Sequence, residues 1–374
     1  MKSYRVKVIK TNRDNISVLN AAVVGATGIV GQQFLGSLLG HPWFRVSGLA
    51  ASGRSAGKSY AEALQDDAGA LRWYCEEQLP EEWANLQVQD AEKLKASDYD
   101  VIFTGVESDS ALLLETHFAK TTPVISTASA FRYEEDVPLL IPGINSDHAK
   151  LITHQRLRRG WKGFVAPIPN CTVTGLAVTL KPLLDEFGLK AVLMTSLQAL
   201  SGAGRSPGVR ALDIIDNVIP FIPKEEEKVM HEGRKILGTV EAEGIQAASV
   251  KISCTCMRVN VKDGHTESVF VSTEKPCPPG EVKKAMNSFA SVLDKSGLPS
   301  APERMIVLQE DPYRPQPRRD RDTHGGMATV VGRIREDDAM KNGIKYVLVS
   351  HNTRMGAAKG AVLTAEMLVK ENYI

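Results

Sequence analysis

The segment Gly25-Ala26-Thr27-Gly28-Ile29-Val30-Gly31 constrains this chain more than any other: its GxxGxxG spacing lies between an apolar run and a helical pattern. The run Val18-Leu19, then Ala21-Ala22-Val23-Val24, reads as the start of a buried strand. Ile29, Val30, Phe34, Leu35, Leu38 and Leu39 recur as one face of a helix. Small residues between the two let the backbone turn tightly and expose its N–H groups. A pyrophosphate can then approach the positive end of the helix. Glycines also build turns that bind nothing, so the strand before and the helix after are what favour a dinucleotide site.

The alternation continues. Residues 44–50 and 99–104 read as strands, residues 112–118 as a helix, and Val124-Ile125-Ser126-Thr127 as another short strand. This pattern predicts a parallel sheet covered by helices, an α/β domain. After Cys171 the character changes. Alternating stretches at 191–197, 248–261 and 267–273 predict longer, half-buried strands, with helices near 174–187 and 282–293. A mixed or antiparallel sheet, an α+β domain, is expected there. A strand at 346–349 and a helix at 356–369 close the chain, and that helix is expected to return to the first domain. A length of 374 residues is more than one core usually organises, which supports two domains. The expected boundaries are an extension at 1–18, a dinucleotide-binding domain at 19–170, a catalytic and dimerisation domain at 171–350, and a C-terminal helix at 351–374.

Composition narrows the class. A formal charge of +1 gives no global attraction to nucleic acid or anionic lipid. Five cysteines are too few for a disulfide scaffold, and their odd number leaves at least one thiol unpaired within the chain. Cys254 and Cys256 would share one face of a strand, where core packing is favoured over metal binding; no metal site is expected. The N-terminus lacks a signal-peptide pattern, and no run reaches the apolar length of about 20 residues that spans a bilayer. A cytoplasmic protein without membrane or nucleic-acid partners is expected. The Pro- and charge-rich segment DPYRPQPRRDRD, residues 311–322, is expected to be an exposed loop.

After the second strand come Ser52, Arg54, Ser55 and Lys58, with no clearly placed acid. A carboxylate there would favour a free ribose 2′-hydroxyl, whereas hydroxyls and cations suit a 2′-phosphate. NADP(H) is therefore expected over NAD.

Asn170-Cys171-Thr172-Val173-Thr174-Gly175 precedes an apolar helical run. That places Cys171 at a first helical turn, where free N–H groups and the helix dipole favour a thiolate. Such a thiolate attacks carbonyl carbon. Alone, a cysteine is more often an inert buried thiol. Its company alters the balance: Gln198 in SLQALSGAG, Arg258 in CMRV and His265 in DGHTE. His265 can accept the cysteine proton, and Arg258 can clamp a carboxylate with two parallel hydrogen bonds.

In order along the chain, GATGIVG, LAASGRSAGK, PNCTVTG, LQALSGAG, EGRKILG, CMRVNVKDGHTE and HNTRMGAAKG resemble the aspartate-semialdehyde dehydrogenases, particularly the fungal and archaeal-like branch. The resemblance implies a Rossmann domain joined to a glyceraldehyde-phosphate-dehydrogenase-like catalytic domain, assembled as a homodimer or homotetramer. It implies Cys171 as nucleophile, His265 as acid–base group and Gln198 as the side chain that orients the reacting thiohemiacetal. Arg258 is then expected to hold the substrate α-carboxylate, Glu232 its amino group, and Lys235 phosphate or the acyl phosphate. Gly25, Thr27, Gly28, Ile29, Val30 and Gly31 are expected at the cofactor, with Ser201, Gly202 and Asn352 beside the nicotinamide. The implied reaction is reductive dephosphorylation of L-aspartyl-4-phosphate to L-aspartate 4-semialdehyde and inorganic phosphate, through a Cys171 thioester. It would serve synthesis of lysine, threonine, methionine and isoleucine. The rival readings are malonyl-CoA reduction, N-acetyl-glutamyl-phosphate reduction and a noncatalytic nucleotide-sensing role.

Overall fold

The computed structural model describes residues 17–204 and 208–374. The VKVI segment of the expected extension lies outside them. Six strands form the first sheet: β1 (Leu19–Val24), β2 (Phe44–Ala51), β3 (Val88–Asp90), β4 (Val101–Thr104), β5 (Val124–Ser126) and β6 (Val165–Pro167). They are all parallel, in the order β3-β2-β1-β4-β5-β6. The order reverses beside β1, which opens a ligand crevice at the carboxyl ends of β1 and β4. Phe34, Phe44 and Phe103 are fully buried beneath this sheet. Their rings lie 5.3 and 5.7 Å apart by centroid. Burying each such side chain contributes about 1.5–3 kcal/mol.

The second half supplies β7 (Leu189–Gln198), β8 (Val218–Ile219), a small hairpin of β9 (Thr239–Val240) with β10 (Ile245–Gln246), and then β11 (Lys251–Val259). After it come β12 (His265–Thr273), β13 (Ile306–Gln309), β14 (Thr329–Asp337) and β15 (Gly343–Ser350). Seven of them make a mixed sheet in the order β13-β14-β15-β12-β7-β11-β8. β12 is strictly alternating, with His265, Glu267, Val269, Val271 and Thr273 turned inward. Its inner face packs on the Cys171–Phe187 helix. On the outer face of the sheet the neighbouring β7 leaves Leu193 and Leu197 exposed. The Ala358–Lys370 helix lies against the Ile29–Leu38 helix of the first half. Buried Glu366 ties it down, meeting His41 Nε2 at 2.8 Å and accepting from the Ser300 N–H.

The 311–322 segment departs from expectation. It contains a short helix, Pro317–Asp320, and Asp320 is fully buried. Asp320 accepts from Arg314 and from the Gln316 N–H, while Arg321 donates to Asp263 O at 3.2 Å. Arg321 and Pro317 thus press on Gly264, the residue before His265. Part of this segment is a buttress for the His265 turn. Among the described residues no helix is long and apolar enough to cross a membrane.

Candidate active site

The glycine turn has the tightness its sequence implies. Gly25 has φ 81°, and a Cβ there would meet Gly105 O at 2.5 Å. A Cβ on Gly31 would fall 2.2 Å from Gly25 O, so any side chain would force the helix away from the strand. Gly28 caps the Ile29–Leu38 helix. Tyr60, fully buried, donates to Ala26 O at 2.7 Å and braces the turn from below. Thr27 is half-exposed, and its carbonyl accepts from Gln32. The Ser52 to Lys58 turn follows β2, whose Ala50 O accepts from the N–H groups of Gly25 and Ala26. Ser52, Arg54 and Lys58 are exposed and Ser55 is half-buried. They flank the glycine turn but do not line the cleft that contains Cys171.

That cleft has a volume of about 780 Å³. Ile29, Val30, Gly105, Ser201, Gly202 and Asn352 line it together with Cys171, Gln198 and Arg258. Asn170 caps the Cys171–Phe187 helix, its Oδ1 accepting from the N–H groups of Thr172 and Val173 at 2.9 and 3.3 Å. Cys171 therefore occupies the first helical position. Its Sγ lies 3.2 Å from His265 Nε2.

His265 is held from behind. Its Nδ1 accepts the Ala199 N–H at 3.1 Å, so the neutral ring carries its proton on Nε2, pointing at the sulfur. Burial, and then Arg258, push its pKa down to about 3. Burial pushes the Cys171 thiol up to about 12, reinforced by Glu225 and opposed by Arg132, Arg258 and the Thr172 N–H. The expected thiolate is thus not the resting state: desolvation outweighs the helix end, and the pair rests as thiol and neutral imidazole. In this arrangement His265 is a donor toward sulfur rather than the acceptor expected.

Strand register assembles the remaining groups. Arg258 on β11 pairs directly with Gln198 on β7, and His265 pairs with Ser350 on β15. Gln198 Nε2 donates to Ser196 Oγ at 3.1 Å, which fixes its amide. Arg258 is buried and donates to Ala199 O at 2.7 Å. Asn352 bridges two turns, accepting from Gly264 N and donating to Ser201 Oγ, both at 2.8 Å.

Two expected contacts are not made. Glu232 is 1% exposed and lies under the cleft; its oxygens engage Arg132 Nη1 at 3.0 Å and Asn170 N at 2.6 Å. Lys235 donates to the carbonyls of Arg132 and Glu134 at 2.9 and 2.8 Å and faces a different depression. Burial drives its pKa down to about 8, against the pull of Glu232. Neither is an exposed helix charge, and neither reaches the cleft that contains Cys171. Glu225 and Lys228 do, one helix end nearer. Glu225 accepts from Asn170 Nδ2 at 2.8 Å and pairs with Lys228 at 3.2 Å. Burial would raise its pKa, but Lys228 and Asn170 hold it below the ordinary carboxylate range. Arg132 and Gly356 also line the cleft and were missed. A Cβ on Gly356 would meet Cys171 Cβ at 2.9 Å, so the first of the two glycines in HNTRMGAAKG was the available signal. Cys254 and Cys256 both turn toward the helix side of β11, and Cys256 is buried.

The semialdehyde dehydrogenase NAD binding domain model matches residues 20–152, and the semialdehyde dehydrogenase dimerisation domain model matches residues 180–355. Aspartate-semialdehyde dehydrogenase of Methanothermobacter thermautotrophicus is 44% identical over 351 residues, covering 94% of this chain and 99% of that protein. The chain belongs to the aspartate-semialdehyde dehydrogenase family. Its Candida albicans member is 41% identical, covering 96% of this chain and all of that protein. The crystal structure of the Candida albicans enzyme with NADP matches with a TM-score of 0.84 at 39% identity, covering 96% of this chain and 100% of that one. Vibrio cholerae aspartate semialdehyde dehydrogenase II complexed with ASA matches with a TM-score of 0.74 at 27% identity, covering 95% and 99%. As a member of this family the chain is an oxidoreductase of amino-acid biosynthesis with a Rossmann-type domain and a mixed-sheet domain.

Proposed function

We propose that this chain reduces L-aspartyl-4-phosphate with NADPH to L-aspartate 4-semialdehyde and inorganic phosphate, reversibly, through an acyl bond to Cys171 Sγ. The observation that carries this is the 3.2 Å approach of Cys171 Sγ to His265 Nε2, in a cleft shared with the strand-to-helix glycine turn. The glycine cradle fits a dinucleotide, since no Cβ could be added at Gly25 or Gly31 without collision. When bound, NADPH supplies the hydride that takes the acyl group to the aldehyde level. The name of the Candida albicans complex supports NADP as the cofactor.

The chain's own groups do the rest. As attack begins, Cys171 passes its proton to an oxygen of the substrate's own phosphoryl group, which departs with it as hydrogenphosphate, while the first-turn N–H groups and the His265 Nε2–H receive the charge developing on sulfur. Attack forms the S–C bond, the C–O bond to phosphate breaks, and phosphate leaves. After reduction the thiohemiacetal collapses, the C–S bond breaks, and the electron pair returns to sulfur facing the same Nε2–H. Arg258 takes the α-carboxylate; Arg132 and Lys228 take the phosphate; Glu225 takes the α-amino group. These last three replace Glu232 and Lys235, whose polar atoms are turned elsewhere. Malonyl-CoA has no amine to satisfy Glu225. The exposed outer face of the second sheet supports a homodimer, with a homotetramer as the larger alternative.

The deciding assay follows phosphate-dependent NADP+ reduction with aspartate semialdehyde, beside malonyl-CoA reduction with NADPH. Activity with the first is expected; activity only with the second would overturn the substrate. Cys171→Ser should retain NADPH binding and lose turnover, and normal turnover would exclude the covalent step.

A further inference from the structure

One buried acid has no part in that chemistry, and both its oxygens are engaged. Glu232 Oε1 meets Arg132 Nη1 at 3.0 Å, and Oε2 accepts the Asn170 N–H at 2.6 Å. Arg132 belongs to the segment after β5, in the nucleotide-binding half. Its Nη2 donates to Thr127 O at 2.8 Å and its Nε has no partner, so Glu232 is its one carboxylate among the described residues. Asn170 immediately precedes Cys171, caps its helix, and sends its side-chain amide to Glu225. One carboxylate thus joins three parts of the site: a cation from the first half, the peptide before the nucleophile, and the helix that carries Glu225 and Lys228.

We infer that Glu232 is a positioning residue that sets Arg132 in register with Cys171, so the anion-holding cation and the attacking sulfur move as one unit. The inference rests on the reading that Arg132 holds the substrate phosphate and that Cys171 is the nucleophile. Its physical basis is the cost of dividing a buried ion pair. Without its carboxylate, Arg132 would keep an uncompensated charge and turn toward the cleft or solvent, while the Asn170 N–H would lose its acceptor. A group that served stability alone would lower the melting temperature without selecting one kinetic constant.

The test is Glu232→Gln in the full-length enzyme. Its amide can accept one of the two hydrogen bonds but must turn an NH₂ toward the other donor. In the phosphate-dependent direction the KM for inorganic phosphate should rise ~10- to 100-fold, the scale of a lost charge-assisted hydrogen bond, while the KM for NADP+ stays within about twofold. Alkylation of Cys171 by iodoacetamide should also change in rate. In the double variant with Arg132→Ala, the phosphate KM should equal that of Arg132→Ala alone, because Glu232 acts through Arg132. Multiplying effects, or an unchanged phosphate KM in Glu232→Gln, would overturn the inference. If Arg132→Ala itself left the phosphate KM unchanged, the underlying assignment of Arg132 would fail instead. Should Glu232→Gln not fold, Glu232→Asp keeps the charge but is one methylene short of spanning both partners. A wild-type phosphate KM and alkylation rate in that variant would be equally decisive against it.

Discussion

Replacing Gly356 by alanine would put a methyl carbon 2.9 Å from Cys171 Cβ and 3.0 Å from Asn352 O. Carbon atoms rest at about 3.5–4.0 Å, so one side must yield by roughly 0.6–1 Å. Gly356 needs no left-handed backbone, which makes the effect purely steric. Retreat toward Asn352 is resisted because its side chain is tied to Gly264 N and Ser201 Oγ. The motion therefore falls on Cys171 and lengthens its 3.2 Å approach to His265 Nε2. Overpacking of this kind costs about 1–3 kcal/mol, and a misplacement of ~1 Å at a reacting atom can cost ~100-fold in rate. In steady-state assays Gly356→Ala should lose ~10- to 100-fold in kcat. NADPH affinity, read by fluorescence titration, should fall far less. Wild-type kcat together with a wild-type rate of Cys171 alkylation would refute the claim that Gly356 sets the sulfur.

Three further outcomes follow from the same geometry. Because burial raises the Cys171 thiol to about 12, alkylation of the free enzyme by iodoacetamide should climb ~10-fold per pH unit from 7 to 9; a plateau below pH 8 would mean the helix end outweighs burial after all. Arg258→Lys should cut kcat/KM for aspartate semialdehyde ~10- to 100-fold with unchanged NADPH binding, since an ammonium cannot reproduce the guanidinium fork; unchanged efficiency would remove Arg258 from the carboxylate role. Glu225→Gln should lower kcat/KM for aspartate semialdehyde ~10- to 100-fold yet affect succinate semialdehyde, which lacks the amine, much less. Equal losses on both substrates would sink the amine contact.

The sequence was most legible where periodicity changes across a glycine. The turn from β1 into the Ile29–Leu38 helix was visible because both neighbours show their apolar faces, and β7 and β12 because they alternate, β7 from Ala191 to Gln198 and β12 along its whole length. By contrast β3 and β6 span three residues each, too few to show a period. The nine-residue β14 was missed, its first four residues being uniformly buried rather than alternating. The error at Glu232 and Lys235 has a geometric cause. The spacing acid-x-x-Lys occurs twice on the Glu225–Ile236 helix, at 225/228 and 232/235. Seven residues are about two turns, so both pairs point the same way and differ only by ~10 Å along the axis. No periodicity separates them. The position of Asn170 does, donating to Glu225 from its side-chain amide and to Glu232 from its backbone N–H. The thiolate at Cys171 failed for a related reason: the helix cap was readable, but the desolvation opposing it belongs to tertiary packing.

The charges around the sulfur explain why an amino acid acyl phosphate suits this cleft better than a simple acyl thioester. Lys228 is paired with Glu225 and Arg132 with Glu232, whereas Arg258 has no carboxylate partner among the described residues. Arg258 is nonetheless buried, so its uncompensated charge is held in a low-dielectric pocket where a carboxylate would be bound strongly. A ligand that brings only a carboxylate would satisfy Arg258 and leave Glu225 and Lys228 bound to each other. One that adds an ammonium and a phosphate can divide that pair, exchanging one contact for two charge-assisted ones.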